Sequence, residues 1–265
     1  MKHAISAILL LTSIAFLAPS GARAQSADEV MQKNFFASKP KMLSKQVTMT
    51  LINERGETRQ RKISALTSLQ ANGVDSNMMV RFLEPADIKG TSFLQIEHSE
   101  ADDDQWIYLP ALRKSRRLVS SNRKDSFIGS DFAYGDVLPP KVSLYQHKLT
   151  GEETVEGLPC YIVESVPATE QVKVDYGYSR KVTWVAKNSF HEVKTVYYDV
   201  TGRLLKTQIV RDIVLVDSDT SRWAPKYKEM LNHQTNHKTE VRADSYTTDV
   251  KISADTYTTR SLERD

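Results

Sequence analysis

The chain has 265 residues, with 36 Lys and Arg against 33 Asp and Glu, so its formal net charge is only +3. This near balance excludes a general nucleic-acid binder, whose affinity depends on a strong basic excess. Apolar residues make up 40% of the chain, which excludes a disordered polymer. Because Cys160 is the single cysteine, no internal disulfide is possible, and we expect this thiol to pack as a small apolar side chain.

The N-terminal residues have the pattern of an export signal. Lys2 precedes an apolar run over residues 4–18, and Ala22 and Ala24 then flank one position. This pattern predicts a secretory signal peptide, residues 1–24, with cleavage after Ala24. A membrane anchor is disfavoured because the run is shorter than the roughly 20 residues that span a bilayer. We therefore expect a soluble periplasmic protein with a single domain over residues 25–265.

Two helices are predicted, one at each end of that domain. Ser26 and Glu29 have the spacing of a capping box, and Val30, Met31 and Phe35 would share one face of the following helix. A weaker helical pattern covers residues 255–262.

Between these ends, apolar residues recur with a period of two, which is typical of strands. Val47, Met49 and Leu51 show it in one segment, and Met78, Val80 and Phe82 show it in another. Leu205, Thr207, Ile209 and Ile213 share one parity of a long late strand. Short turns separate such segments, at residues 55–56, 72–73, 156–159 and 201–202. The predicted class is α+β, a long antiparallel sheet with one or two helices on it.

Six motifs between residues 82 and 264 then point to a family. They are residues 82–94, 105–117, 127–132, 223–226, 233–235 and 262–264. In this order they resemble the periplasmic outer-membrane lipoprotein-sorting proteins, the LolA-like family, in the branch associated with RND-type transporters.

The resemblance implies an incomplete β-barrel, LolA/LolB-like, in which helices cover a hydrophobic cavity on a curved antiparallel sheet. It implies that the cargo is the acyl chain of a lipoprotein or lipid, carried to the outer membrane. The partners would be an inner-membrane transporter of the RND or ABC type as donor and an outer-membrane acceptor. The classical chaperone of this family is shorter than this chain, so its cargo does not transfer with the fold.

Large and flexible side chains on the strands and in the 127–134 segment are the candidate cavity lining. Ordinary core packing explains any one of them equally well. The candidates are Met49, Met79, Phe82, Phe93, Trp106, Tyr108, Phe127, Phe132, Tyr134 and Trp184.

The most basic segment, residues 112–124, is the candidate docking surface, with Arg113, Lys114, Arg116 and Arg117 at its centre. Clustered cations are attracted to anionic headgroups. A basic strand edge that prevents sheet-to-sheet aggregation is the alternative interpretation.

Enzyme and metal motifs are weak. Residues 129–131 lack the second glycine of a nucleophile elbow. His233 and His237 have no accompanying His-Glu pair, and Asp102 to Asp104 match no calcium loop. We expect no enzyme activity, no metal site and no cofactor.

Three functions from different classes remain open. The first is a periplasmic carrier for acyl chains, and the second is an envelope-stress or regulatory module that senses lipid or lipoprotein and contacts a membrane protein. The third, a secreted enzyme acting on lipid or cell-wall material, would need titratable residues that converge in the cavity.

Overall fold

The computed structural model describes residues 25–137, 141–253 and 255–264. The predicted signal peptide, residues 1–24, lies outside the described residues. Among those that are described, no helix is both long and apolar enough to cross a bilayer.

The described residues form a thirteen-stranded antiparallel sheet and two α-helices, α1 (Ala27–Ala37) and α2 (Glu170–Tyr176). The strands are β1 Met42–Ile52, β2 Thr58–Leu69, β3 Ser76–Glu84, β4 Ser92–Ile96, β5 Asp104–Leu109, β6 Lys114–Leu118, β7 Tyr145–Val155, β8 Leu158–Pro167, β9 Tyr178–Ala186, β10 Glu192–Asp199, β11 Leu204–Asp217, β12 Arg222–Asn232 and β13 His237–Thr247.

Two meanders make up the sheet. Strands β1 to β6 pair in succession, as do β7 to β13, and the two meanders join where β1 pairs with β13 from Ser44↔Thr247 to Ile52↔Lys238. The sheet curves but does not close, because β6 and β7 lie at its opposite ends. This confirms the predicted α+β class and the incomplete antiparallel barrel.

Helix α1 begins where the capping box predicted. The Ser26 hydroxyl accepts a hydrogen bond from the backbone N–H of Glu29, and the Glu29 carboxylate accepts one from the N–H of Ser26. Val30 and Phe35 are buried, and Met31 packs beside Val30. The apolar face of α1 therefore lies against the sheet, where the helix contacts β7, β8 and β12.

The C-terminal helical pattern forms a shorter element than predicted. Thr259–Glu263 is a single turn of 3-10 helix, and its Leu262 packs on Met79 and Leu94. Helix α2 was not predicted from the sequence, although Thr169 caps its N-terminus and Gly177 ends it with a φ of 75°. A positive φ suits glycine because no Cβ opposes it.

The sheet has an inner face, covered by α1 and by the crossover segment (residues 119–137) between β6 and β7, and an outer face opposite it. The main hydrophobic core lies on the inner face of β1 to β6, around Met49, Val80, Phe82 and Phe93. Cys160 is fully buried in a smaller cluster, and burial raises the pKa of its thiol. It packs as an apolar side chain, as expected.

Candidate functional site

The inner face divides into two unlike halves, and the crossover segment fills the half formed by β1 to β6. Phe127, Phe132 and Tyr134 are buried there against the strands. The Phe127 ring meets those of Phe93 and Tyr134 edge-on, with centroids 5.4 Å apart in both pairs. Aromatic pairs favour this geometry. This apolar half is therefore a packed core that the protein's own aromatic residues complete.

Buried polar contacts attach the crossover segment to the sheet. The Lys206 ammonium donates to the Asp136 carboxylate at 2.6 Å and to the backbone carbonyl of Asp131 at 3.2 Å. The Thr239 hydroxyl donates to the Asp131 carboxylate at 2.6 Å. Within the segment the regular pairing is one isolated bridge, Ser126↔Ala133. Side-chain bonds rather than strand pairing thus hold the segment in place.

The other half of the inner face, from β7 to β12, retains a cavity of about 180 Å³ beneath α1. Its walls come from α1, from β1 to β3 and from the strands around β10, with the end of the crossover segment at one side. Apolar lining residues include Met31, Phe35, Leu43, Met78, Val210, Ile213 and Trp223, and polar ones include Lys45, His147, Lys181, Thr183, His191, Glu192, Thr195, Gln208 and Lys228.

Three lysines reach this cavity from inward-facing strand positions. Lys45 stands between the buried Leu43 and Val47 on β1, and Lys181 and Lys228 lie on β9 and β12. The Lys228 ammonium is 3.5 Å from the Glu192 carboxylate, and the Lys181 ammonium lies 3.9 Å from the centre of the Tyr145 ring. The cavity is thus amphipathic rather than purely apolar.

Burial lowers the pKa of two of these lysines. Desolvation, with the neighbouring Lys228 ammonium, lowers the pKa of Lys45 from 10.5 to about 8. Desolvation also lowers the pKa of Lys181 to about 8, although Asp136 and Glu192 oppose that shift. Both lysines are largely cationic at neutral pH and bear a desolvation cost that a nearby anion would offset.

Two histidines border the same cavity, and burial lowers the pKa of each. His147 is satisfied, because its Nε2 donates to the Val142 carbonyl at 3.0 Å and its Nδ1 accepts from the Ser165 hydroxyl at 2.8 Å. His191 shares a 2.6 Å hydrogen bond between its Nδ1 and Ser189, but its buried Nε2 has no partner among the described residues. The buried hydroxyl of Tyr145 is likewise without a partner there. A buried polar group without a hydrogen-bond partner destabilises the folded protein.

None of the ten residues predicted to line a ligand cavity borders this one. Met49, Phe82, Phe93, Phe127, Phe132 and Tyr134 come together instead in the packed core of the other half. Met79, Trp106 and Tyr108 lie on the outer face under Leu262. Trp184 is also on the outer face, near Cys160, and its Nε1–H donates to Glu153 at 2.5 Å.

The predicted docking residues lie together at one end of the sheet. Arg113 follows a short turn, and Lys114, Arg116 and Arg117 are exposed on the end strand β6. Arg117 forms an ion pair with Asp104, whereas no ion pair joins Arg113, Lys114 or Arg116 to a described carboxylate. Two exposed apolar side chains flank these cations, Leu112 at 63% and Val119 at 60% exposure.

The residues weighed for metal or catalytic roles have structural partners. His233 bonds the Thr207 hydroxyl at 2.8 Å, and the Asp102 carboxylate pairs with Arg123 at 3.0 Å. Ser130 donates to the Phe127 carbonyl inside the crossover segment. Across the described ranges, no group of three His, Cys, Asp or Glu side chains is placed to hold a metal ion.

Sequence reasoning missed the cavity lysines, although one of them left a signal. Lys45 shares the parity of Val47, Met49 and Leu51, so a charged side chain falls on a strand face that is otherwise buried. Lys181 shows no such signal, because a register shift beside Tyr178 interrupts the alternation of inward and outward residues on β9.

Solved structures share this fold. A Vibrio parahaemolyticus domain assigned to outer membrane lipoprotein sorting is 27% identical, with a TM-score of 0.81 over 90% of this chain and 98% of that one. A DUF1329 family protein from Desulfovibrio piger is 26% identical, with a TM-score of 0.78 over 88% and 95% of the two chains. A LolA superfamily protein from Nitrosomonas europaea, 19% identical, shares the fold with a TM-score of 0.67 over 90% and 100%.

The fold therefore defines a LolA-like half-barrel. A family model described as "Uncharacterized protein" matches residues 74–264, which is most of the chain. The protein belongs to the LolA-like family, as the motifs indicated, whereas its place in the RND-associated branch stays a prediction. No curated protein sequence matches the chain.

Proposed function

We propose that this protein is a periplasmic carrier that binds the acyl chains of lipids or lipoproteins on the inner face of its sheet and delivers them to the outer membrane. The observation that carries this proposal is the cavity beneath α1, in a fold shared with a domain assigned to outer membrane lipoprotein sorting. The predicted signal peptide and the similarity to that domain support a periplasmic location.

The volume of the cavity limits how much of an acyl chain it can hold. About 180 Å³ is less than the roughly 300–1,000 Å³ of typical ligand pockets, so it holds only part of an acyl chain. The adjoining apolar half, which Phe127, Phe132 and Tyr134 now fill, offers the remaining volume. We infer that the chain enters beneath α1 and extends by displacing these aromatics, which then meet the cargo as the sequence predicted.

Displacement of the crossover segment breaks no strand pairing with the sheet, because its only regular pairing among the described residues is the bridge within it. It must break the side-chain bonds that hold the segment, from Lys206 and Tyr178 to Asp136, from Thr239 to Asp131 and from Arg61 to the Ile128 carbonyl. An equally apolar ligand would cover the strand surface that the displaced aromatic rings uncover, so little apolar area would be exposed to water.

The exposed end of the sheet provides the docking surface in this proposal. Arg113, Lys114 and Arg116 are exposed cations beside the exposed apolar side chains of Leu112 and Val119. Cations attract anionic headgroups, and exposed apolar side chains beside them, here at the two ends of β6, enter the acyl boundary. This surface would meet the membrane at which an inner-membrane transporter of the RND or ABC type acts as donor, and later the outer-membrane acceptor.

Native mass spectrometry with lipid extraction tests the carrier function, on protein purified from the periplasm without detergent. We expect acylated species to co-purify with the wild type. Thr195→Phe fills the cavity from β10, whereas Val196→Phe adds the same bulk to the opposite face of that strand as the matched control. Loss of the species in the first variant alone supports the proposal.

A wild-type protein that carries nothing, and that takes up neither added phospholipid nor lipopeptide, would contradict the carrier function. That result would favour the regulatory binding module instead. Circular dichroism of both variants separates cavity filling from misfolding, because overpacking a core costs about 1–3 kcal/mol.

A further inference from the structure

The charges around the cavity beneath α1 do not balance. Lys141 lies 3.3 Å from Asp103, and Lys228 lies 3.5 Å from Glu192. Asp136 is paired with Lys206 at 2.6 Å. Lys45 and Lys181 are left over, since no carboxylate of the described residues lies within 4 Å of either ammonium. The lining therefore carries two cations without counterions.

The same cavity holds two buried polar atoms without hydrogen-bond partners among the described residues, the Tyr145 hydroxyl and His191 Nε2. The Tyr145 ring lies 3.9 Å from the Lys181 ammonium, so this hydroxyl belongs to the neighbourhood of one free cation. A hydroxyl donates to an anionic oxygen, so the Tyr145 hydroxyl suits a ligand with acceptor oxygens. The Ser189 hydroxyl donates to Asn188 at 3.0 Å, so His191 Nδ1 donates to Ser189 and the neutral Nε2 of His191 is an acceptor.

Apolar side chains complete the lining. Met31 and Phe35 face the cavity from α1, and Leu43, Val210 and Ile213 face it from the sheet. An unpaired cation in such surroundings is unfavourable, and an anion that fits beside it offsets the cost. A ligand complementary to this surface has an acidic head and an alkyl chain.

We propose that the cavity beneath α1 binds an anionic amphiphile, with its carboxylate or phosphate head at an ammonium that has no counterion, Lys45 or Lys181, and its alkyl chain along the α1 side. This inference rests on the proposed carrier function and names the class of lipid. It gives the protein a preference for acidic over neutral alkyl ligands.

Isothermal titration of the mature protein with three C12 probes tests the preference. The probes are dodecanoate, dodecyl phosphate and the neutral dodecanol. We expect at least one anion to bind about tenfold or more tightly than dodecanol, and the tighter of the two anions identifies the head as carboxylate or phosphate. Equal affinities for all three probes would overturn the inference while leaving the carrier function intact.

If none of the probes binds, dodecanol included, the inference and the carrier function both fail. The variant Lys45→Met/Lys181→Met should lose the preference and keep the affinity for dodecanol, because it removes only the cations. Lys226→Met is the matched control, since Lys226 is exposed on β12 two residues from the inward-facing Lys228. The affinities of the wild-type protein for the three probes test the inference even if the double variant does not fold.

Discussion

The Lys206 ammonium lies 2.6 Å from the Asp136 carboxylate on the inner face of the sheet, with 6% and 3% of the two side chains exposed. The Tyr178 hydroxyl also donates to this carboxylate, at 2.9 Å. The ion pair joins the crossover segment to β11. It thereby fixes the segment that separates the packed half of the inner face from the cavity.

Breaking this ion pair on one side should be strongly destabilising. Lys206→Met leaves the Asp136 carboxylate buried without its counterion, and we expect the free energy of unfolding to fall by about 3–5 kcal/mol. Urea denaturation at pH 7 measures the change. Arg211→Met is the control, because the Arg211–Glu156 pair is about half exposed and should contribute no more than about 1 kcal/mol. Equal losses in the two variants would contradict the structural role of the buried pair.

Removing the central aromatic ring of the crossover segment should lower the stability of the protein but increase its uptake of ligand. Phe127→Ala deletes a ring that is 4% exposed, and we expect it to lower the free energy of unfolding by about 3–5 kcal/mol. If cargo displaces these aromatics, the variant should also take up more acyl ligand per protein, as measured by lipid extraction. Phe36→Ala, at a partly exposed ring on α1, is the control. A loss of stability with no gain in uptake would mean that the aromatics are core alone.

Stability should depend on pH through Lys45. Its pKa is about 8 in the folded protein and near 10.5 when unfolded, so between these values the unfolded chain binds more protons. Stability therefore rises with pH across this window and is flat below it. For the half-buried Lys45 we expect a gain of about 1–2 kcal/mol between pH 7 and pH 9.5.

Urea denaturation of Lys45→Met at the same two pH values checks this assignment. The variant should be more stable than the wild type at pH 7, and the difference should shrink at pH 9.5, because the wild-type ammonium is by then mostly neutral. Lys226→Met should show the wild-type dependence. A constant difference between Lys45→Met and the wild type would contradict the depressed pKa.

Charge reversal at the docking surface should weaken membrane association. Arg116 is exposed on β6 and unpaired among the described residues, so Arg116→Glu should reduce binding to vesicles that contain anionic phospholipid. Replacing a cation by an anion removes an attraction of about 1 kcal/mol and adds a repulsion, and both fade in high salt. Vesicle co-sedimentation at two salt concentrations measures the effect. Lys226→Glu changes the net charge equally and should bind as the wild type does.

The alternation of apolar residues predicted strands β1 and β3. Met78, Val80 and Phe82 face the main core as their shared parity implied, and Ile107 and Trp106 occupy opposite faces of β5. On β11 the same alternation was misleading, because the buried inner positions are Lys206, Gln208 and Val210 while Ile209 faces the other way. Parity tells which residues share a face, but the neighbouring elements decide which face is buried and what chemistry it holds.

By itself, the sequence determined the antiparallel strands, the capped first helix and the family, because each depends on residues close together in the chain or on short motifs. The tertiary structure alone decided which large side chains meet. It placed Phe127 and Tyr134, which were predicted to line a cargo cavity, in the packed half of the inner face, and it left a cavity at the other half, beneath α1, with Lys45 and Lys181 in its walls. The physical reason is that these contacts join residues far apart in the sequence. They depend on the curvature of the sheet, on the register shift in β9 and on the path of the crossover segment. None of these three features has a signal in the local sequence.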